Sequence, residues 1–195
     1  IGPLSAIVRC PKTWEQDGAP APVSLVTGDG YCLDGQRLRF NTGTGYGATN
    51  STYRTEIESF SRITVMGTSS TGPTWFKVEG KDGLTYEYGN TADSSIEAGG
   101  SASNPVSVWA LNNIRDRSSN SIQFVYSEDT ANKTYRIDKI QYPYTASGGP
   151  YYEVKFAYEA RPAGDSLHGY SAGYAWKEPN RLDYIDVVVS SQQQL

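Results

Sequence analysis

Apolar and polar residues alternate with a period of two along most of this chain, the pattern of half-buried β-strands. Between Thr52 and Phe60, Tyr53, Thr55, Ile57 and Ser59 fall on one face, and Arg54, Glu56, Glu58 and Phe60 on the other. Trp75, Lys77 and Glu79 share a face opposite Phe76 and Val78. Similar runs predict strands over Leu4–Arg9, Tyr31–Leu33, Gln36–Phe40, Ile63–Met66, Leu84–Tyr88, Val106–Ala110 and Ser121–Tyr126. Three more are expected over Tyr135–Tyr142, Tyr151–Tyr158 and Arg181–Val189. Asp34-Gly35 between two such runs is a strong hairpin signal, and Lys81-Asp82-Gly83 closes a second hairpin. Thr13–Asp29, Asn41–Asn50 and Thr91–Asn104 read as loops, the second exposed and the third with room for a short helical turn. Trp109–Arg117 has some helical periodicity, but Asn112, Asn113 and Asp116 are weak helix formers, so no helix is predicted there.

Two segments of the second half repeat one another. Ile122-Gln123-Phe124-Val125-Tyr126 precedes Arg136-Ile137-Asp138-Lys139-Ile140, and Val154-Lys155-Phe156-Ala157-Tyr158 precedes Arg181-Leu182-Asp183-Tyr184-Ile185. Each reads apolar-x-Phe-x-Tyr, then Arg-apolar-Asp-x-Ile. The second copy carries about 13 more residues between its halves, rich in Gly and Tyr. A repeated hairpin is the physical reading, with Phe and Tyr on one face of the first strand. Arg and Asp, two apart on the returning strand, are expected to point together and join a cross-strand ion-pair ladder. Hairpins that cannot bury their faces alone stack into larger curved sheets.

Composition narrows the function classes. Fifteen Tyr in an aromatic content of 12% argue against disorder. A net charge of −4 argues against a nucleic-acid partner. No apolar run approaches the length of a membrane-spanning helix. One His and two Cys exclude a Cys/His zinc site made by this chain alone, and no cofactor is expected. Cys10 and Cys32 are too far apart for a redox CxxC pair. A structural disulfide, which would imply export, and two buried free thiols both fit them. The start on Ile-Gly-Pro has no signal-peptide character, so the chain is expected to be mature or, by preference, a fragment of a larger polypeptide.

A set of stretches gives the family expectation. They are Leu4–Pro11, Tyr31–Leu38, Tyr53–Ile63, Trp75–Val78 with Asp82-Gly83, and Tyr88–Ser94. Val108–Leu111 with Ile114–Arg117, and Arg136–Tyr142, complete it. In this order they resemble Rhs/YD-repeat proteins, in the region like the virulence-plasmid-B-type segment of insecticidal toxin-complex B subunits. The resemblance implies an all-β fold of stacked antiparallel β-hairpins forming a twisted, curved sheet, part of a shell. It implies a secreted or cell-surface bacterial polypeptide whose repeats enclose a toxin or effector domain, with this segment non-catalytic. Residues 1–195 are then one segment, with a Cys-containing hairpin region over 1–50 and repeated hairpins over 51–195. Its partners would be neighbouring repeats of the same polypeptide and the enclosed toxin domain. Unpaired strand edges would also allow self-association.

Two rival readings rest on particular side chains. Glu56 and Glu58, two apart on a strand, would share a face at a spacing suited to two-carboxylate glycoside hydrolysis, with Glu58 or Glu87 as the substitute acid. The alternative is a solvated face with Arg54 as ion-pair partner. Trp75, Trp109 and Trp176, with Tyr142, Tyr144, Tyr151, Tyr152, Tyr170 and Tyr174, would make the glycan platform of a carbohydrate-binding β-sandwich module. His168 lies in a Gly/Tyr loop with no nucleophile-elbow motif beside it, and reads as a surface histidine. The Asp-Gly pairs lack the acidic series of a calcium loop and read as turns.

Overall fold

The turn chemistry sets the strands out as consecutive hairpins in the computed structural model, which describes residues 4–189. The first strands are β1 (Ala6–Cys10), β2 (Gly30–Leu33), β3 (Gln36–Thr42), β4 (Thr52–Thr55) and β5 (Arg62–Val65). Two short strands, β6 (Thr68–Ser69) and β7 (Gly72–Pro73), precede β8 (Phe76–Glu79), β9 (Thr85–Tyr88), β10 (Ser95–Glu97) and β11 (Val106–Arg115). The remainder are β12 (Ser121–Asp129), β13 (Thr134–Tyr144), β14 (Tyr152–Ala160), β15 (Leu167–Ser171), β16 (Tyr174–Glu178) and β17 (Asn180–Val189). Asp34 and Gly35 both take positive φ, 48° and 82°, as a tight turn matched to strand twist requires.

The large sheet runs β1-β2-β3-β4-β5-β8-β9-β11-β12-β13-β14-β17, with β10 joined to β11. β1 also pairs with β11, Ile7 opposite Trp109, so the first eight strands of the path close into a barrel-like ring. Beyond β11 the sheet continues as an open arm that ends at β17. The fold is therefore all-β, antiparallel and curved, as expected. The Cys-containing hairpin is part of the ring, because β3 pairs with β4 as well as β2.

The ring has a core because one face of each strand is apolar. Ile7, Tyr31, Leu38, Tyr53, Ile63, Phe76, Tyr88 and Trp109, one from each of its strands, meet in one buried cluster. Trp109 is fully buried, edge-on to Phe76 at 5.1 Å and to Tyr31 at 5.6 Å. Its indole N–H donates to the Thr74 carbonyl at 3.1 Å. Arg9 is also buried. Its guanidinium donates to the carbonyls of Val106, Val26 and Thr71 and pairs with Asp29 at 3.2 Å. A buried cation is tolerated because so many of its donors find acceptors. A Cys10–Cys32 disulfide ties β1 to β2, which decides between the two readings of these cysteines.

Several elements differ from expectation. The strand expected over Thr52–Phe60 stops at Thr55, and residues 56–61 form a turn. Thr55 Oγ1 donates to the Ile57 carbonyl, Phe60 N–H donates to the Glu58 carboxylate, and Phe60 takes φ 58°. Side-chain-to-backbone bonds of this kind compete with a strand ladder. The 43–51 loop is not wholly exposed. Tyr46 stacks on Tyr31 at 5.3 Å, and Gly47 N–H donates to the Tyr53 hydroxyl at 2.6 Å. The expected loops also hold a one-turn helix, α1 (Trp14–Asp17), the short strand β10, and two 3-10 turns. β11 runs straight through Trp109–Arg115, where helical periodicity was visible. The added residues of the second repeat form the β15–β16 hairpin.

Candidate functional site: the open hairpin array

The repeat residues lie on the open arm, and the structure gives each a shared register. In the β12–β13 hairpin, Phe124 faces Ile140 and Tyr126 faces Ile137. In the β14–β17 hairpin, Phe156 faces Ile185 and Tyr158 faces Leu182. The register shifts at the same place in both: Val125 faces Lys139 and Ala157 faces Tyr184. Asp138 and Asp183 are thus the extra residues of two equivalent β-bulges.

This corrects the expected ion-pair ladder. An extra residue interrupts the alternation that would point Arg and Asp together, and neither Asp forms an ion pair among the described residues. Arg181 instead pairs with its cross-strand partner Glu159 at 2.6 Å. Arg136 lies 3.9 Å from Glu178 and 5.2 Å from the centre of the Tyr158 ring. It therefore holds the second hairpin against the first through charge and aromatic face.

A third copy escapes the sequence reading. Where β9 meets β11, Tyr86 faces Ile114, Tyr88 faces Leu111, and Glu87 faces Asn113. Asn112 is the extra residue there. The shared signature is aromatic-x-Tyr followed by apolar-(Asn/Asp)-x-Ile. Asn112 in place of Asp, Ala110 in place of Arg, and the long 89–109 connection hide it in the chain.

The tyrosines join the copies. Tyr126 donates its hydroxyl proton to the Leu111 carbonyl at 2.7 Å, and Tyr158 does so to the Ile137 carbonyl at 2.6 Å. Each acceptor is the residue just before the bulge of the preceding copy. A bulge disrupts its local ladder, and a hydroxyl from the next hairpin supplies a donor to the carbonyl beside it.

The β15–β16 hairpin folds back over the ring side of the array and leaves a cavity of about 420 Å³. Ile96, Val108, Tyr135, Leu167, Tyr174 and Trp176 supply much of its wall, with Glu97, Lys133 and Glu178. Nearby, burial pushes the Glu128 carboxyl up to about 7, helped by the charges of Glu97 and Asp93. Burial also raises Glu97.

The residues of the rival readings do not all meet in one site, although Tyr174 and Trp176 share the cavity wall. Glu56 and Glu58 sit in the exposed 56–61 turn rather than on a strand face. Glu56 lies 3.9 Å from Arg39 and Glu58 3.3 Å from Arg54, the latter the ion-pair partner anticipated for this segment. Glu87 is on β9, where its carboxylate accepts from the Asn90 amide. Trp109 lies inside the ring core, so it cannot face a glycan with Trp75 and Trp176. Tyr142 and Tyr152 face one another across β13 and β14. His168 is exposed on β15. No cluster of three or more His, Cys, Asp or Glu side chains is placed to hold a metal ion among the described residues. No helix there is long and apolar enough to cross a membrane.

The fold and its joints define a class: a closed ring of antiparallel strands that opens into a serial hairpin array. The family model for SpvB, the Salmonella virulence plasmid 65kDa B protein, matches residues 33–149, and the chain belongs to that family. Its fold is similar to the N-terminal domain of effector protein SpvB from Salmonella typhimurium strain LT2. The TM-score is 0.73 at 16% identity, over 98% of this chain and 77% of that one. A crystal structure of TcdB2-TccC3-Cdc42 gives a TM-score of 0.69 at 16% identity, over 96% of this chain and 11% of that one. The Photorhabdus luminescens Tc holotoxin pore gives 0.70 at 14% identity, over 93% and 11%. At these identities the likeness is one of fold. The chain spans about a ninth of the toxin-complex chains it matches. No curated protein matches it.

Proposed function

We propose that this chain is a structural, non-catalytic segment of an exported bacterial polypeptide of the toxin-complex type, part of a β-shell enclosing a toxin or effector domain. The observation that carries the reading is the joint between hairpins. Each copy docks on the previous one through the same register and the same tyrosine–carbonyl bond, a design for building wall rather than for holding a substrate. Membership of the virulence-plasmid B family supports it, as does the fold likeness to toxin-complex chains. The proposed partners are further Rhs-type repeats of the same polypeptide and the enclosed domain. The proposed location is outside the cell or on its surface, where the Cys10–Cys32 disulfide would persist.

The test is the denatured intact mass of the native product, recovered from its source cells and medium with an antibody to this segment. A product several-fold heavier than the 21.3 kDa of this chain is expected. A product of that mass alone would overturn the shell reading. The glycosidase alternative predicts hydrolysis that Glu58→Gln abolishes, and its geometry is already broken by the turn at Glu58.

A further inference from the structure

The array ends on β17, whose outer edge has no strand partner among the described residues. Its face is also uncovered there. Ile114 and Ile140, the signature isoleucines of the first two copies, are partly buried against the core, whereas Ile185 is 52% exposed. Tyr184, Val187 and Val189 on the same strand are exposed as well. Leu111 and Ile137 each receive a tyrosine hydroxyl at the carbonyl before the bulge; their counterpart, Leu182, receives none from the described residues.

The two existing joints have one register. Asn113 of β11 faces Gln123 of β12, three residues before Tyr126. Lys139 of β13 faces Lys155 of β14, three residues before Tyr158. Asn113 and Lys139 each follow their bulge residue directly, and Tyr184 holds that place in β17.

Resting on the structural reading above, we infer that β17 is the docking edge for a fourth hairpin of the same polypeptide. Its first strand pairs antiparallel with β17 and carries an aromatic-x-Tyr signature. The residue three before that Tyr faces Tyr184, and the Tyr hydroxyl donates to the Leu182 carbonyl. A second copy of this segment does not fit the role. Its three signature strands, β9, β12 and β14, are each paired on both edges. The chain direction also favours a hairpin in cis, since each copy so far docks on the one before it.

Val189 stands where Tyr144 stands in the preceding copy, so a second copy of residues 145–189 inserted after Val189 reproduces the natural joint. Tyr184→Cys in the original hairpin and Lys155→Cys in the inserted one then place two thiols face to face, with Cys10–Cys32 left closed. Fast intramolecular cross-linking is expected, read by intact mass under mild oxidation. Moving the second thiol one residue, as Phe156→Cys in the inserted copy, is expected to slow it at least about tenfold, because a one-residue slip reverses the faces. Tyr158→Phe in the inserted copy, with the in-register thiols, is expected to slow it about fivefold to tenfold through the lost hydrogen bond. Native-state hydrogen exchange of β1 and β2 reports that the ring remains folded in every variant. Equal rates in the two registers, no cross-link in either, no effect of Tyr158→Phe, or dimers joined through the Tyr184→Cys position would each overturn the inference. A heavy native product with a failed cross-link removes this inference alone; a light native product removes the shell reading itself.

Discussion

The ring and the arm use the same hairpin and differ in what covers it. β9 and β11 carry the first copy of the signature and also complete the ring, where β1 pairs along β11 and Ser5 meets the Tyr88 hydroxyl at 3.0 Å. Tyr88 and Leu111 are buried as a result. In the second copy Tyr126 and Ile137 are buried too, where the third hairpin docks and its Tyr158 hydroxyl donates to the Ile137 carbonyl. In the third copy Tyr158 and Leu182 are only half-buried, and Ile185 is exposed. Burial is held through the first two copies and falls in the last, while the register stays constant. The hairpin is therefore a unit whose stability depends on its successor, the behaviour of a repeat stack in which interfaces between neighbours supply much of the stability.

The largest expected effects separate a buried charge in the ring from an exposed one in the arm. Arg9→Met leaves Asp29 buried without its cation and is expected to cost about 3–5 kcal/mol in urea unfolding. Arg181→Met removes an exposed pair with Glu159 and is expected to cost less than about 1 kcal/mol. Equal losses would erase the distinction between the regions.

Opening the disulfide comes next. Cys10→Ser with Cys32→Ser is expected to cost about 3 kcal/mol from loop-closure entropy. Native-state hydrogen exchange should place the loss first in β1 and β2. An effect appearing first in β14 and β17 would mean that ring and arm unfold as one unit.

Smaller effects grade the joints. Tyr126→Phe leaves the Leu111 carbonyl short of a donor in a buried site and is expected to cost about 1–2 kcal/mol. Tyr158→Phe, at a more open joint, is expected to cost about half as much. Exchange rates on β12 and β14 measure the two, and a larger loss at Tyr158 would reverse the gradient.

An effect of similar size is pH-dependent. The folded state raises the Glu128 carboxyl to about 7, so the native protein binds a proton that the unfolded chain has already released. Stability is then fully preserved below the unfolded carboxylate range and falls as pH rises toward 7. Glu128→Gln should stabilise the protein at pH 8 by about 1 kcal/mol, after allowance for solvent screening of a partly exposed group, and far less near pH 4. The same gain at both pH values would remove this account.

Much of the strand layout was legible because its signals are local. Asp34-Gly35 marked the first hairpin, and the alternation around Phe76 and Val78 marked the buried face of the second. The repeat was legible through its aromatic-x-Tyr and Arg-apolar-Asp-x-Ile residues. The bulges were not, since a residue without a cross-strand partner looks like any other in the chain. This is why Asp138 and Asp183 were expected in an ion-pair ladder and why the copy at Asn112 was missed. The carboxylate pair at Glu56 and Glu58 failed for a related reason. Alternation continues past Thr55, but a threonine hydroxyl and the Glu58 carboxylate bond the local backbone and end the strand.

By itself, the sequence determined that this protein is all-β and built from hairpins, and it carried the resemblance that led to the family. Those properties follow from alternation, turn residues and short motifs, which act between residues close in the chain. Only the tertiary structure decided that β1 returns to β11 and closes a ring, that Trp109 lies in its core rather than on a binding face, and that the array is left open at β17. Ring closure is a pairing between segments about a hundred residues apart, set by which faces can be buried together. No local pattern encodes it.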